Sequence, residues 1–514
     1  MALEHTHIES QGPRRTADED SAGQTSRWQE VFWLALILAA GLLPRLIFIT
    51  SFPSRPISDF LYILNFAIYF RDDWLAKIVS QYQWRFFSPG LPFILSLIFR
   101  FVHGSPELIG RWATAISTGL VPVLPYILWK NVFRLRTRIF AALLLAFWPG
   151  QILFSSVLAQ DNWILFSAVT ISILAVGILT VKKINGSPVL AALLYAVTVA
   201  IRQEMLIALL PVAILAIMGG KTEKYIRNLL IGGGIVAMAF IALTIQRGMA
   251  TGRYTLTTEH FGVSILGAYV PGAGMGWISP IPYIEGIHPE LFDQNGYWGN
   301  ELENEALNLA RQEFLRRPIF HVIRSFGSTL TNIFEMDTQI TWWSLGIIHG
   351  WSVSDETVLP YQYRKDALML SNYLAPLLRF YPMFINTLFA CSLFFALGQR
   401  RLLRWISPIL VTIALKTGLH AVIVSQPRYF LVVIALEMLV IAIVWDRMLK
   451  KEHWKLSLGS ILACIVTIFL LITAMNSARE YVAKHDLVSQ SDYKTSSCLV
   501  SSPMPSEMIQ RRPS

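Results

Sequence analysis

The sequence predicts an all-α integral membrane protein of about eleven transmembrane helices, and three observations predict it. The 514 residues are 54% hydrophobic and only 15% charged, with mean hydropathy +0.49, whereas soluble domains carry about 25% charged residues. Apolar runs near the roughly 20 residues needed to cross a bilayer core of about 30 Å recur along the chain. Short Lys and Arg clusters fall in every second connection between them, the pattern of charge retained on a cytoplasmic face. That clustering accounts for the net charge of +10 and excludes a nucleic-acid surface as its cause. Cys391, Cys464 and Cys498 lie far apart, with neither metal-ligand spacing nor a disulfide framework.

In chain order, the expected spans are 30–50, 106–129, 137–158, 163–181, 187–201, 205–219, 227–246, 381–398, 403–424, 429–446 and 456–475. Basic clusters follow the even-numbered ones, at Lys130 to Arg138, Lys182 and Lys183, Lys221 to Arg227, Arg400 to Arg404 and Arg447 to Lys455. The N-terminal tail adds Arg14, Arg15 and Arg27. The positive-inside rule then puts the N-terminus in the cytoplasm of a plasma (inner) membrane and the C-terminus outside. Residues 1–28 read as a disordered cytoplasmic tail, 29–476 as a polytopic membrane domain and 477–514 as a polar, disordered extracytoplasmic tail. The run 89–103 is short for a span, and counting it would put the Lys130–Arg138 cluster outside, so an interfacial or re-entrant helix is expected there.

Cytoplasmic connections are short, and the chain spends its remaining residues on two extracytoplasmic loops, 51–105 and 247–380. In the first, Asp59 opens a helix-like stretch to Tyr69. In the second, an amphipathic pattern from Glu301 to Phe314 stops at Arg316-Arg317-Pro318. Large loops on one face of a rigid bundle are where a site is expected.

The order of features resembles the GT-C superfamily of membrane glycosyltransferases. The similar branch holds protein O-mannosyltransferases, lipid A aminoarabinose transferases and Rgt-type lipopolysaccharide sugar transferases. The resemblance spans roughly residues 30–445. It is carried by Ser58-Asp59-Phe60 with Tyr62 and Ala67, Ser88-Pro89-Gly90-Leu91-Pro92, and Gly104-Ser105-Pro106 with Arg111. Phe147-Trp148-Pro149-Gly150 with Asp161, Arg202-Gln203-Glu204 and Gln426-Pro427-Arg428-Tyr429 continue it. The chain departs from the family where Phe60 follows Asp59 in place of a second acid, and where Ser88 precedes a proline that some members precede with Lys. It contains no Asp-x-Asp pair, Glu335-Met336-Asp337 being the nearest approach, so a divalent metal is possible but nothing in the sequence requires a cofactor.

What the resemblance implies is a GT-C-like fold with amphipathic surface helices in the long loops. It also implies transfer of a sugar from a polyprenyl-phosphate donor to a lipid, glycan or protein acceptor. Such chemistry needs a base for the acceptor hydroxyl and cations for the departing phosphate. Asp59 is the expected base and Asp161 the alternative. Arg202, Arg428 and Arg85 are the expected phosphate ligands, because Arg stays charged and binds phosphate through its planar fork. Glu204, Tyr429, Lys416 and Tyr62 form a second tier, and no metal ligands are assigned.

Each residue also has a plainer reading. Asp59 after Ser58 fits a helix N-cap, and Asp161 suits the positive end of a helix dipole. Arg202 and Glu204 can pair with each other, and Arg428 can anchor its helix at the interface. Lys416 shares a helix face with His420 and, inside a span, must find a partner or a cavity. Tyr82, Trp84, Trp342 and Trp343 fit an interfacial aromatic belt. The rival functions are an O-antigen-type polymerase or ligase, which would gather Arg and His in its late loop, then a secondary transporter with two related halves, which the sequence lacks, and then a membrane scaffold.

Overall fold

The computed structural model describes residues 26–56, 59–73, 84, 87–181, 188–219, 224–252, 254–255, 258, 260–291, 300–345, 361–423, 426–449 and 458–497. The described residues form helices and no strand. In chain order they are α1 (Arg27–Ser51), α2 (Asp59–Asp72), α3 (Gly90–Phe101), α4 (Pro106–Leu120), α5 (Val123–Leu128), α6 (Leu135–Ala146), α7 (Pro149–Phe154), α8 (Gln160–Val181), α9 (Pro188–Ile201), α10 (Met205–Ala208) and α11 (Leu210–Met218). Then come α12 (Tyr225–Thr251), α13 (Phe261–Tyr269), α14 (Ile281–Ile287), α15 (Asn300–Arg316), α16 (Pro318–Phe334), α17 (Met336–Leu345), α18 (Tyr361–Leu397), α19 (Arg400–Val422), α20 (Leu431–Leu449) and α21 (Leu458–Ser497).

Seven helices are long and apolar enough to cross a membrane, and eight if the bent pair α3 and Pro106–Leu128 counts as one span. That pair turns through 112° at its break, the geometry of either a broken span or a re-entrant loop, where an interfacial or re-entrant helix was expected at 89–103. Two other expected spans are interrupted. Pro149 divides 137–158 into α6 and α7, holding Trp148 in extended backbone before it. The run 205–219 divides into α10 and α11, the second with a proline in its first turn.

The disordered tail expected over 477–514 is corrected as far as Ser497, to which α21 runs unbroken; residues 498–514 lie outside the described residues. The polar half of α21 is held near its start by tertiary contact, because Arg479 donates to Glu335 across 3.0 Å and Ala478 packs where a side chain at Gly327 of α16 would stand. The tail 1–25 lies outside the described residues.

Helix α20 is buried along nearly its whole length and forms the axis of the bundle, with α8 beside it, whereas α12 packs along one side on α9 and has few fully buried residues. Lipid tails are as apolar as leucine, so close packing rather than burial alone joins such helices. Gly41 and Gly119 let α1 and α4 touch backbone to backbone, and Gly90 seats the start of α3 on the Ala200 carbonyl at the end of α9. Buried cations then tie helix ends. Arg45 bonds the Gly41 carbonyl (2.6 Å) and Gln151 Oε1 (2.9 Å). Arg111 bonds the Ile49 and Phe52 carbonyls at 2.8 and 2.7 Å, satisfying the C-terminal end of α1.

The long second loop is ordered by its own small core. Val263, Leu266, Ile284, Leu302, Ala306 and Ala310 pack α13, α14 and α15 together. Glu303 receives the Gly262 and Val263 N–H groups at the start of α13. The amphipathic stretch from Glu301 is helical as expected, and Pro318, its stop signal, is the first residue of α16. Arg324 and Ser328 of α16 bond the Gly274 and Met275 carbonyls at 2.5 and 2.7 Å, which fixes the turn after α13. The Tyr269 hydroxyl reaches the Val422 carbonyl at 3.3 Å and so joins this loop to the end of α19.

Candidate active site: a charged cluster at one end of the bundle

Helix boundaries bring the charged residues together. Asp59 is the first residue of α2, Asp161 lies in the first turn of α8, and Arg202 directly follows α9. His420 lies in the last turn of α19, while Pro427 opens a short 3-10 turn (Pro427–Phe430) that carries Arg428 and Tyr429 into α20. A proline there stiffens the turn just where the chain reverses between α19 and α20.

Two ion-pair groups result. Arg428 donates through Nη2 to Asp59 Oδ2 at 2.7 Å and through Nε to Gln426 Oε1 at 2.9 Å. Its guanidinium lies 5.2 Å from the ring centres of both Phe60 and Trp343, which stand edge to face. Arg202 donates through Nη1 to Asp161 Oδ1 at 2.6 Å and through Nε to Glu204. Glu204 also accepts from Lys416 Nζ at 2.8 Å, with His420 Nε2 3.5 Å away.

Tyr429 joins the two groups. Its ring centre is 4.2 Å from the Arg202 guanidinium, 5.3 Å from that of Arg428 and 6.0 Å from Lys416 Nζ, and the His420 ring lies against it, tilted by 31°, at 4.5 Å. Cations on an aromatic face gain further attraction where water is excluded. Three basic side chains thus face three carboxylates around one tyrosine, and Lys416 has no exposed surface at all.

The cation geometry bears on ligand binding. Arg428 and Arg202 each use Nε and one terminal nitrogen on protein groups, and the other terminal nitrogen has no hydrogen bond among the described residues. Asp59 is the most accessible of the three acids, its side chain 41% exposed against 3% for Asp161 and 23% for Glu204. The structure therefore holds an acid open to solvent beside an arginine with a donor to spare. That pairing can accept a proton and bind an oxyanion at adjacent positions.

Of the residues singled out in the sequence, Asp59, Asp161, Arg202, Glu204, Lys416, Arg428 and Tyr429 enter this cluster. Arg85 and Tyr82 lie outside the described residues, as does the side chain of Trp342. Tyr62 stacks on Phe87, ring centres 5.8 Å apart. Trp84 is not interfacial: it is 1% exposed and packs edge to face on Phe66 and Phe70 in the core. Phe60, Trp343, Gln426 and His420 join the site. His420 was visible through its spacing from Lys416, whereas the aromatic contacts of Arg428 left no trace in hydropathy.

Glu335 and Asp337 do not form a metal pair. Glu335 is held by Arg479, while Asp337 is buried and accepts from Trp148 Nε1 (2.9 Å) and the Gly150 N–H (3.2 Å). Burial pushes the Asp337 carboxyl up to about 7, against those two hydrogen bonds. Among the described residues no three His, Cys, Asp or Glu side chains gather with metal-binding geometry. Compared with known proteins, the sequence matches no family model and no curated protein, so the chemistry of this cluster is what the functional assignment stands on.

Proposed function

We propose that the chain is a membrane glycosyltransferase that moves a sugar from a polyprenyl-phosphate donor to an extracytoplasmic lipid, polysaccharide or protein acceptor. The observation that carries this reading is the pairing of Asp59 with Arg428 beside Arg202, with one donor nitrogen spare on each arginine. The same proposal includes eleven crossings in a GT-C-like arrangement, a cytoplasmic N-terminus and both long loops on the outside of a plasma (inner) membrane.

In this mechanism the donor phosphate takes the spare nitrogens of Arg428 and Arg202. Asp59 removes the proton of the acceptor hydroxyl as its oxygen attacks the anomeric carbon. The new carbon–oxygen bond forms as the bond to phosphate breaks, and the electron pair leaves on the polyprenyl phosphate. The two guanidinium groups balance the charge that develops there. Displacement in one step inverts the anomeric configuration. Lys416 and Glu204 keep Arg202 oriented from behind, a supporting role rather than a chemical one.

The test is transfer of label from a panel of polyprenyl-phosphate sugars by membranes containing the wild type or Asp59→Asn. Transfer that falls by about 10²-fold or more in the variant supports the base assignment. Equal transfer by both moves the base to Asp161, and a product that retains configuration defeats direct displacement. No transfer from any donor defeats the reading and brings forward a polymerase or ligase, then a transporter.

A further inference from the structure

The end of the bundle away from the charged cluster carries a second concentration of cations. Helix α19 begins with Arg400 and Arg401, adds Arg404 one turn on, and reaches the His420 of the charged cluster only in its last turn. All three arginines are exposed, and none forms an ion pair among the described residues. The first turn of α19 holds no acid, so the helix dipole adds to their charge instead of offsetting it. Arg447, in the last turn of α20, brings a fourth guanidinium. Asp446, beside it in sequence, is fully buried and accepts from the Thr137 hydroxyl at 2.9 Å.

Two of these cations converge. The guanidinium carbons of Arg401 and Arg447 lie 5.5 and 4.1 Å from the centre of one indole, that of the buried Trp405. Arginines that only snorkel to water spread apart, because like charges repel. Here the ring gathers them, and an anion between them would turn the repulsion into two charge-assisted contacts. The rest of this face is apolar and open. At about 3.6 residues per turn, Arg400, Arg401, Arg404, Val411, Leu415 and Val422 fall within a sector of about 100°. Val411, Leu415 and Val422 are all exposed. Cations that continue into exposed apolar side chains match a molecule with an anionic head and a hydrocarbon tail.

We propose that this face seats an anionic phospholipid, its phosphate between Arg401 and Arg447 with Arg404 alongside, and an acyl chain along Val411 and Leu415. Basic pockets between transmembrane helices take lipid head groups by the same chemistry. A soluble phosphate would use only the cations and leave the stripe bare, so a lipid is the occupant that both halves of the face fit. The site is independent of the glycosyltransferase reading. A lipid that joins α19 to α20 at this end steadies the hairpin whose other end carries His420, Arg428 and Tyr429.

The test uses purified, delipidated full-length protein in nonionic detergent at constant ionic strength, titrated with phosphatidylglycerol, phosphatidylcholine or glycerol 3-phosphate. Thermal unfolding reads binding. Phosphatidylglycerol should stabilise the protein saturably, whereas phosphatidylcholine and glycerol 3-phosphate should not at the same concentrations. Half-saturation should weaken by about fivefold or more in Arg401→Gln, the worth of one basic residue beside an anionic lipid. Arg401 is exposed, so this variant folds. Arg227→Gln removes an exposed arginine from the first turn of α12, controls for total charge and should leave the titration unchanged. Equal stabilisation by both phospholipids, a titration unaltered in Arg401→Gln, or one weakened as much in Arg227→Gln overturns the site. Stabilisation by glycerol 3-phosphate that matches phosphatidylglycerol leaves an anion site without a lipid and overturns the proposal.

Discussion

Replacing Glu204 by Gln should be the most damaging conservative change in the cluster, and the reason lies in Lys416. The ammonium of Lys416 has no exposed surface, and Glu204, 2.8 Å away, is its ion-pair partner. Glu204→Gln keeps the volume but leaves that ammonium buried beside the Arg202 guanidinium. Removing one partner of a buried pair costs about 3–5 kcal/mol. Lys416→Met should cost far less, about 1 kcal/mol, because Glu204 retains its bond to Arg202 and a methionine fills the stem's space. In the double variant no charge is stranded, since Arg202 keeps Asp161 at 2.6 Å. Its cost should fall below that of Glu204→Gln alone, giving a coupling of about 2–3 kcal/mol. Equilibrium unfolding in mixed micelles measures all four forms. Equal single-variant costs, or a double variant whose cost is their sum within about 0.5 kcal/mol, would refute a coupled network.

The remaining predictions concern pH, packing and charge geometry. Burial, with Arg324 and Arg317 nearby, lowers the His321 imidazole to about 4, so the unfolded chain binds a proton that the folded one refuses. Stability should therefore drop as pH falls from about 6.5 towards 4, by about 3 kcal/mol in total. Asp337, shifted the opposite way, is common to wild type and His321→Gln and cancels in their difference, so identical pH profiles would remove the assignment. Gly150→Ala places a methyl group into the Asp337 carboxyl and should cost about 1–3 kcal/mol; an unchanged Tm would mean the contact yields freely. Arg428→Lys keeps the charge but not the fork, so kcat/KM for transfer should fall by about tenfold or more, and wild-type kinetics would show that only the charge matters.

Much of the site could be read before the fold, because charge beside apolar runs is costly and stands out. Asp59, Asp161, Arg202 and Arg428 each mark the edge of such a run, and Lys416 is conspicuous inside one. Their pairing was not legible. Nothing local says that Glu204 meets a lysine 212 residues later, because that contact depends on how α10 and α19 pack. Span boundaries failed where hydropathy averages across a proline: Pro149 was in plain view, yet its run still scored as continuous. Residues 477–497 read as structureless on polarity alone, whereas the structure continues them as helix, anchored near its start by the Arg479–Glu335 pair and the Gly327–Ala478 contact. The partners of Glu335 and Asp337 were likewise hidden, because Arg479 lies on α21 and Trp148 just before α7, far from both in sequence.

The Asp59–Arg428 pair has a consequence for biosynthesis. Its members are 369 residues apart, and at about 5–20 residues per second a ribosome needs about 20–70 s to reach the second after the first. Throughout that interval the growing chain carries the acid that opens α2 without its arginine, and Arg202 likewise waits for Tyr429. The cluster is thus assembled by the last third of the protein to be inserted. A chain released or stalled before Arg428 would hold Asp59 without its cation, and that exposed, unneutralised carboxylate gives membrane quality control a physical mark of incompleteness.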